Sequence, residues 1–407
     1  MKPRPFATNE VLEGVRYEIR GELAARAQQF ERQGFEIIPL NIGNPGVFGF
    51  RTPETMRLAM IENMHQSEAY AHQKGIFPAR EAVVMQQQNR GVMDVTAEEV
   101  VIGNGVSECI DLVLRAMLNS GDEVLIPSPD YPLWSAATAL NRGKVTYYNC
   151  RPEDDFQPDP EEIESLVTPR TRAIVLINPN NPTGAVYRRE RLEAIARIAE
   201  QHRLVVFSDE IYDQMTYDGV EHVPMATLVH DTLCVTFSGL SKVYRACGYR
   251  VGWAVFSGDR EHAGDYLHAV ELLSSLRLCA NVPGQWAVQT ALGGYQSIRE
   301  LTSPGGRLYE SRQAIIEAAE RSRHLSLRAP EGAMYAFLRI NSRTGNGEEI
   351  DDRKFAAALL EHRHVLVAPG SSFNVPYRDH FRITTLPGAR TLDTVFERID
   401  DVLDSLV

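Results

Sequence analysis

The stretch SGLSKVYRACGYRVGW (residues 238–253) sets one lysine, Lys242, among small and hydroxyl side chains, directly after the apolar run LCVTF (233–237) and eight residues before Arg250. A surface lysine usually sits among other charges, and this one does not. A lysine screened from water beside a second cation has a lowered amine pKa, which makes it a nucleophile toward a carbonyl group. Arg250 offers that second charge and a planar fork suited to phosphate oxygens. Taken alone, one lysine is far more often a solvated surface residue, so the rest of the chain has to decide.

Outward from this stretch, short β-branched runs recur: EVVIG (99–103), EVLIP (123–127), KVTYYN (144–149), AIVLI (173–177), LVVFS (204–208), LCVTF (233–237) and RVGWAVF (250–256). Helical patterns lie between several of them. Val106, Cys109, Ile110, Val113 and Met117 share one face at 3.6-residue spacing, as do Leu192, Ile195, Ala196 and Ala199. Strands that are apolar throughout, alternating with helices, imply an α/β fold with a mostly parallel seven-stranded sheet buried between helical layers. The two chain ends carry longer helical stretches and weaker strand signals at AMYAFLRI and VLVAPG. The expected arrangement is a large domain over 59–300 and a smaller α+β domain from 1–58 and 301–407, with a boundary loop at LTSPGG (301–306).

In open α/β sheets, ligands bind beyond the carboxyl ends of the strands. Four runs here end in polar segments: GNGVSE (103–108), NPNNPTG (178–184), DEIY (209–212) and SGLSK (238–242). GNGVSE offers glycine freedom, exposed N–H groups and the Ser107 hydroxyl at a helix start, a setting for phosphate, although it lacks the third glycine of a dinucleotide fingerprint; a bare capping turn is the alternative. In NPNNPTG two prolines stiffen a loop and fix the directions of Asn178 and Asn181; a plain rigid turn is the alternative. Asp209 follows four apolar residues, so it reads as buried and in need of a cation such as a protonated ring nitrogen, or else as a helix cap. Tyr212 reaches the same side if the chain turns helical after Asp209.

The 407 residues carry a formal net charge of −12 and are 43% hydrophobic, which supports two or three packed cores and disfavours nucleic acid or anionic membranes as partners. Five scattered cysteines with no CxxC pair fit a reducing compartment, with no metal site. No apolar run approaches the roughly 18 residues of a membrane helix, and the N-terminus lacks a secretory core. A cytoplasmic location is expected.

The order NPNNPTG, SDEIY, SGLSK, GYRVGW resembles that of the fold-type I aminotransferases, the aspartate aminotransferase superfamily of pyridoxal 5′-phosphate (PLP) enzymes, over almost the whole chain. The resemblance implies PLP as cofactor and a set of roles. Lys242 is the Schiff-base lysine and proton shuttle, and Asp209 the partner of the pyridinium nitrogen. Tyr212 and Asn181 bind the cofactor's phenolic oxygen, and Tyr131 stacks on its ring. Gly105, Val106, Ser107 and Arg250 hold the phosphate, with Ser238 or Ser241: the serine that many members carry three residues before the lysine is replaced here by Gly239. Arg382 in FRIT takes the substrate α-carboxylate, with the Gly43 backbone nearby. Tyr70 reaches the phosphate of a neighbouring subunit, so a homodimer is expected. For Tyr131 and Tyr70 core packing is the competing explanation, and for Arg382 a surface ion pair.

Within the superfamily, YEIRG (17–21), LNIGNPGVFGF (40–50) and RLCANVPGQ (277–285) look like the bacterial alanine (glutamate–pyruvate) aminotransferases. That subgroup implies that Tyr17 and Arg20 cover the substrate, Arg20 contacting a carboxylate; helix packing is the alternative, and Arg277 is a rough candidate for the same carboxylate. The expected reaction is ping-pong exchange of an amino group between L-alanine/pyruvate and L-glutamate/2-oxoglutarate. Alternatives are valine–pyruvate, aromatic or aspartate specificity, or a PLP β-lyase. A non-catalytic PLP-binding regulator lacks support, because no DNA-binding extension precedes the Gly43 motif.

Overall fold

The computed structural model describes residues 6–15 and 21–407. In chain order its strands are β1 (Ile38–Pro39), β2 (Val100–Gly103), β3 (Glu123–Ser128), β4 (Lys144–Asn149), β5 (Thr171–Ile177), β6 (Val205–Asp209), β7 (Leu233–Gly239), β8 (Gly252–Gly258), β9 (Leu325–Leu327), β10 (Tyr335–Ile340), β11 (Val365–Leu366), β12 (Ala368–Pro369) and β13 (His380–Thr384). Strands β2 to β8 form one seven-stranded sheet in the order β2-β8-β7-β6-β5-β3-β4. The expected seven runs are the seven strands, with ends shifted by one or two residues.

Why this sheet must be covered on both faces follows from its pleat. Successive side chains of β5 point to opposite sides. Ala173, Val175 and Ile177 join Phe207, Val235, Phe237 and Phe256 under the helices Val106–Met117 and Leu133–Leu140. Ile174 and Leu176 join Leu125, Val206, Cys234 and Trp253 on the other face, beneath Phe77–Asn89, Arg189–His202 and Val282–Gly293. Each Val, Leu, Ile or Phe among them, fully buried, contributes about 2 kcal/mol. Strand β4, at the edge, is mostly half-buried, and in β5 only Arg172 is exposed. The periodicities at 106–117 and 192–199 are the buried helix faces.

Six of the seven strands run the same way. Strand β8 alone is antiparallel to both neighbours, because it returns directly from β7, with Gly239 opposite Gly252. The carboxyl ends of β2, β5, β6 and β7 therefore share one edge of the sheet, and the β7–β8 connection carrying Lys242 lies there.

The second sheet has the order β12-β13-β10-β9, antiparallel throughout. It packs with the helices Arg307–Arg321, Asp352–Arg363 and Ala389–Leu406; in the last, Leu392, Val395, Phe396, Ile399, Val402 and Leu403 form the buried stripe. Strand β1 pairs in parallel with β11, which brings the N-terminal stretch onto the C-terminal one. At 301–306 the expected loop is shorter than the sequence suggests, because the helix Ile298–Thr302 runs into it. Among the described residues no helix is long and apolar enough to cross a membrane.

Candidate active site

At the shared strand edge lies a cavity of about 740 Å³ lined by Gly43, Val106, Ser107, Tyr131, Asn181, Asp209, Tyr212, Ser241, Lys242, Arg250 and Arg382, among others. Four strand ends and β13 thus place nine of these residues around one space, and Gly43 after β1 and Tyr131 after β3 complete it.

Lys242 is partly buried, and its Nζ donates to the Gly43 carbonyl at 2.7 Å. A neutral acceptor holds the amine without the cost in mobility that a carboxylate would impose. Asp209 ends β6 at 3% exposure and makes no salt bridge among the described residues. Burial pushes its carboxyl up to about 6, opposed by the Trp134 indole, whose Nε1 donates to Oδ2 at 3.1 Å. A buried carboxylate aimed into a cavity with only neutral donors around it is matched to a cationic ring nitrogen.

The sequence suggested a helix after Asp209; the chain instead makes a turn over 211–214, closed by Met215 N donating to the Tyr212 carbonyl at 2.7 Å. Tyr212 still reaches the cavity. Its phenol is pushed well above its usual range by burial, then by the neighbouring Tyr335, whose hydroxyl lies 3.1 Å away.

The helix Val106–Met117 starts at Gly105, where φ is +81°, with no side chain capping its first N–H groups. Those groups face the cavity and favour an anion. A Cβ at Gly105 would run into the Arg250 guanidinium, so the two segments touch only because residue 105 is glycine. Ser241 lies on the wall, whereas Ser238 is buried within β7 and does not line the cavity. Gly239 also has a local reason: a Cβ there would sit 2.7 Å from the Val251 carbonyl. The close β7–β8 pairing removes the room that a serine needs.

Arg382 on β13 is 1% exposed. Its Nη1 donates to Asn181 Oδ1 at 2.8 Å, and Nη2 to the Asn41 carbonyl. The guanidinium is sandwiched between Tyr335, 4.3 Å to the ring centroid, and Phe373, 4.6 Å. A fork so oriented is suited to a carboxylate. A surface ion pair for Arg382 is excluded by its burial.

Asn178, paired with Asn181 in the sequence reading, holds the loop instead, accepting from Tyr187 N at 2.9 Å. Tyr70 is 79% exposed and outside the cavity. Arg277 is also outside: its Nε meets Glu108 at 3.2 Å and its Nη2 donates to the Ile102 carbonyl at 2.7 Å. Tyr17 and Arg20 lie outside the described residues.

The sequence reading missed Trp134 and Tyr335. Trp134 sits three residues after Tyr131 in a segment read only for its tyrosine, and the signal was the need of a buried Asp209 for a donor. Tyr335 was read only as part of a strand.

With this geometry in view, the comparisons decide the family. The family model described as Aminotransferase class I and II matches residues 36–399. The chain belongs to the class I and II aminotransferases. Among relatives of this aminotransferase chain, glutamate-pyruvate aminotransferase AlaA of Escherichia coli (strain K12) is 47% identical over 402 residues, covering 99% of this chain and 96% of that protein. Alanine aminotransferase of Mycobacterium tuberculosis (strain ATCC 25618 / H37Rv) is 43% identical over 405 residues, covering 99% and 94%. Among solved structures, an aminotransferase from Escherichia coli superposes with a TM-score of 0.96 at 46% identity, covering 98% of this chain and 99% of that one. Alanine aminotransferase from Pyrococcus furiosus gives 0.92 at 34% identity, covering 98% and 100%.

The cofactor of class I and II aminotransferases is PLP. The residues present fit it: an uncapped helix start beside Arg250 suits the phosphate, the buried Asp209 on the cavity wall suits the ring nitrogen, and Lys242 suits the aldehyde.

Proposed function

We propose that the protein transfers an amino group between L-alanine/pyruvate and L-glutamate/2-oxoglutarate with PLP as cofactor. The observation that carries this reading is the meeting of Lys242, Asp209 and Arg382 on one cavity in a chain 47% identical to a glutamate-pyruvate aminotransferase.

Bound PLP supplies an electron sink for the charge left at Cα when an amino acid loses its α-proton. Arg382 binds the α-carboxylate, its fork pre-set by Asn181 and the Asn41 carbonyl, so that the Cα–H bond is presented to Lys242. Lys242 Nζ then takes the Cα proton and, in the return half-reaction, gives a proton back to Cα of the incoming substrate. Asp209, held by the Trp134 N–H, keeps a proton on the ring nitrogen. Leu133, Ile177 and Ile211 line the cavity with apolar surface that excludes water. The amino group remains in the site between the two substrates, so ping-pong kinetics follow.

The distal carboxylate of glutamate belongs, in this reading, to Arg20 with Tyr17. In support, the short helix Glu10–Gly14 packs on Leu133–Leu140, and Leu133 lines the cavity. A homodimer is part of the same proposal. Leu58, Ile61, Met64, Phe77 and Leu276 are all exposed, and the segment after Tyr70 is tied to Glu271 by Gln73 at 2.8 Å. Exposed apolar side chains of this size suit burial against a second copy. A cytoplasmic working environment is supported by five free thiols. We also propose that residues 59–300 and the combined 1–58 and 301–407 are two domains that close over substrate.

The test is the absorbance spectrum of the PLP-loaded protein. L-Alanine alone should convert the visible band and 2-oxoglutarate should restore it; a spectrum indifferent to both would reject the reading.

A further inference from the structure

Tyr335 belongs to none of the roles above, yet it touches three of the groups that perform them. It opens β10, where its Cα partner on β13 is Thr384, while Arg382 pairs with Phe337. Residues 335 and 337 share a face of the sheet, so Tyr335 and Arg382 are diagonal cross-strand neighbours within reach of long side chains. The ring of Tyr335 carries the Arg382 guanidinium at 4.3 Å. Its hydroxyl lies 3.1 Å from that of Tyr212, the two rings meeting edge to face at 5.8 Å. It also packs on Gly43, the residue whose carbonyl holds Lys242: a Cβ there would collide with the Tyr335 hydroxyl. The tyrosine is 3% exposed and lines the cavity.

We infer that Tyr335 is a positioning residue that joins the carboxylate-binding arginine to the cofactor-facing phenol, its ring serving Arg382 and its hydroxyl serving Tyr212. This rests on the functional reading above, with Tyr212 donating a hydrogen bond to the cofactor's phenolic oxygen, the role that the family resemblance implies. A phenol has a single proton to donate. With the Tyr212 proton committed to the cofactor, the Tyr335 hydroxyl is the donor of the pair. Donation into the Tyr212 oxygen polarises its O–H and strengthens its hold on the charged form of the cofactor's oxygen. The charged and titratable side chains acting on the Tyr212 phenol are Tyr335, Tyr131 and Arg382. Of these, Tyr335 is both hydrogen-bonded to it and stacked on the arginine.

Two variants of the PLP-loaded protein separate the jobs. Tyr335→Phe keeps the ring and removes the hydroxyl; Tyr335→Leu removes both. The first readout is the pH midpoint at which the visible cofactor band shifts. The second is the affinity for propionate, a monocarboxylate without an amino group, followed by the same band. Tyr335→Phe should raise the midpoint by about one pH unit and lower kcat/KM by roughly fivefold, with propionate affinity within about twofold of the parent. Tyr335→Leu should raise the midpoint alike and weaken propionate by roughly tenfold. A Tyr335→Phe protein with the parent's midpoint would overturn the inference, as would a Tyr335→Leu protein with the parent's affinity for propionate. A parent protein that develops no visible band with PLP would overturn the functional reading itself, and this inference with it.

Discussion

Trp134 Nε1 donates to Asp209 Oδ2 across 3.1 Å, the indole reaching from the helix Leu133–Leu140 to the end of β6. The same indole packs on Phe207 and Phe237 at centroid distances of 5.6 and 5.2 Å, so its N–H direction is set by the core. Among the described residues, the other donor to this carboxylate is the Ile211 amide at 3.4 Å. Replacing Trp134 by Phe keeps most of the packing and deletes the donor. We expect kcat to fall at least tenfold, the scale of a lost hydrogen bond to a charged group, with secondary structure by circular dichroism unchanged. A kcat within twofold of the parent would count against this role.

Burial raises the Asp209 carboxyl from its ordinary 3.8 to about 6. Without cofactor, the unfolded chain releases this proton near pH 4 while the folded one keeps it to about 6. Stability tied to the group is therefore full below about pH 4 and lost as pH rises through about 6, on the order of 3 kcal/mol. Asp209→Asn removes that loss. The cofactor-free variant should melt higher than the cofactor-free parent at pH 8, and the order should reverse once PLP is added. Equal melting temperatures without cofactor would refute the linkage.

Arg382→Lys keeps a positive charge but loses the planar fork and the stacking between Tyr335 and Phe373. KM for L-alanine should rise about a hundredfold while the visible band of bound cofactor persists. A KM change under threefold would place the carboxylate elsewhere.

Gly43→Ala drives a methyl group into the Tyr335 hydroxyl. Overpacking of this kind costs about 1–3 kcal/mol, and displacing Tyr335 should weaken propionate binding as Tyr335→Leu does. Unchanged stability and binding in thermal and spectral titrations would show that Tyr335 yields freely.

How much of this was legible beforehand depended on whether chemistry or packing fixed the residue. Lys242, Asp209 and the helix start at 105–107 stand at strand ends, where apolar runs stop abruptly at polar residues, and the seven runs could be counted directly. Tyr212 was found for partly the wrong reason, since a turn and not a helix brings it to the cavity. Ser238 and Ser241 could not be separated, because the choice depends on how closely β7 meets β8. Trp134 and Tyr335 were hard to tell from core: each is an aromatic in an apolar run, and beyond the need of a buried Asp209 for a donor, only cross-strand register and the aim of one polar atom distinguish them.

The proposed chemistry requires covalent attachment of the cofactor to one amine, that of Lys242. Borohydride reduction of the PLP-loaded protein followed by peptide mass mapping measures this directly. The label should fall on the peptide containing Lys242 and vanish in Lys242→Ala, along with the visible band. A label on a different lysine, or a Lys242→Ala protein that keeps the parent's band, would contradict it.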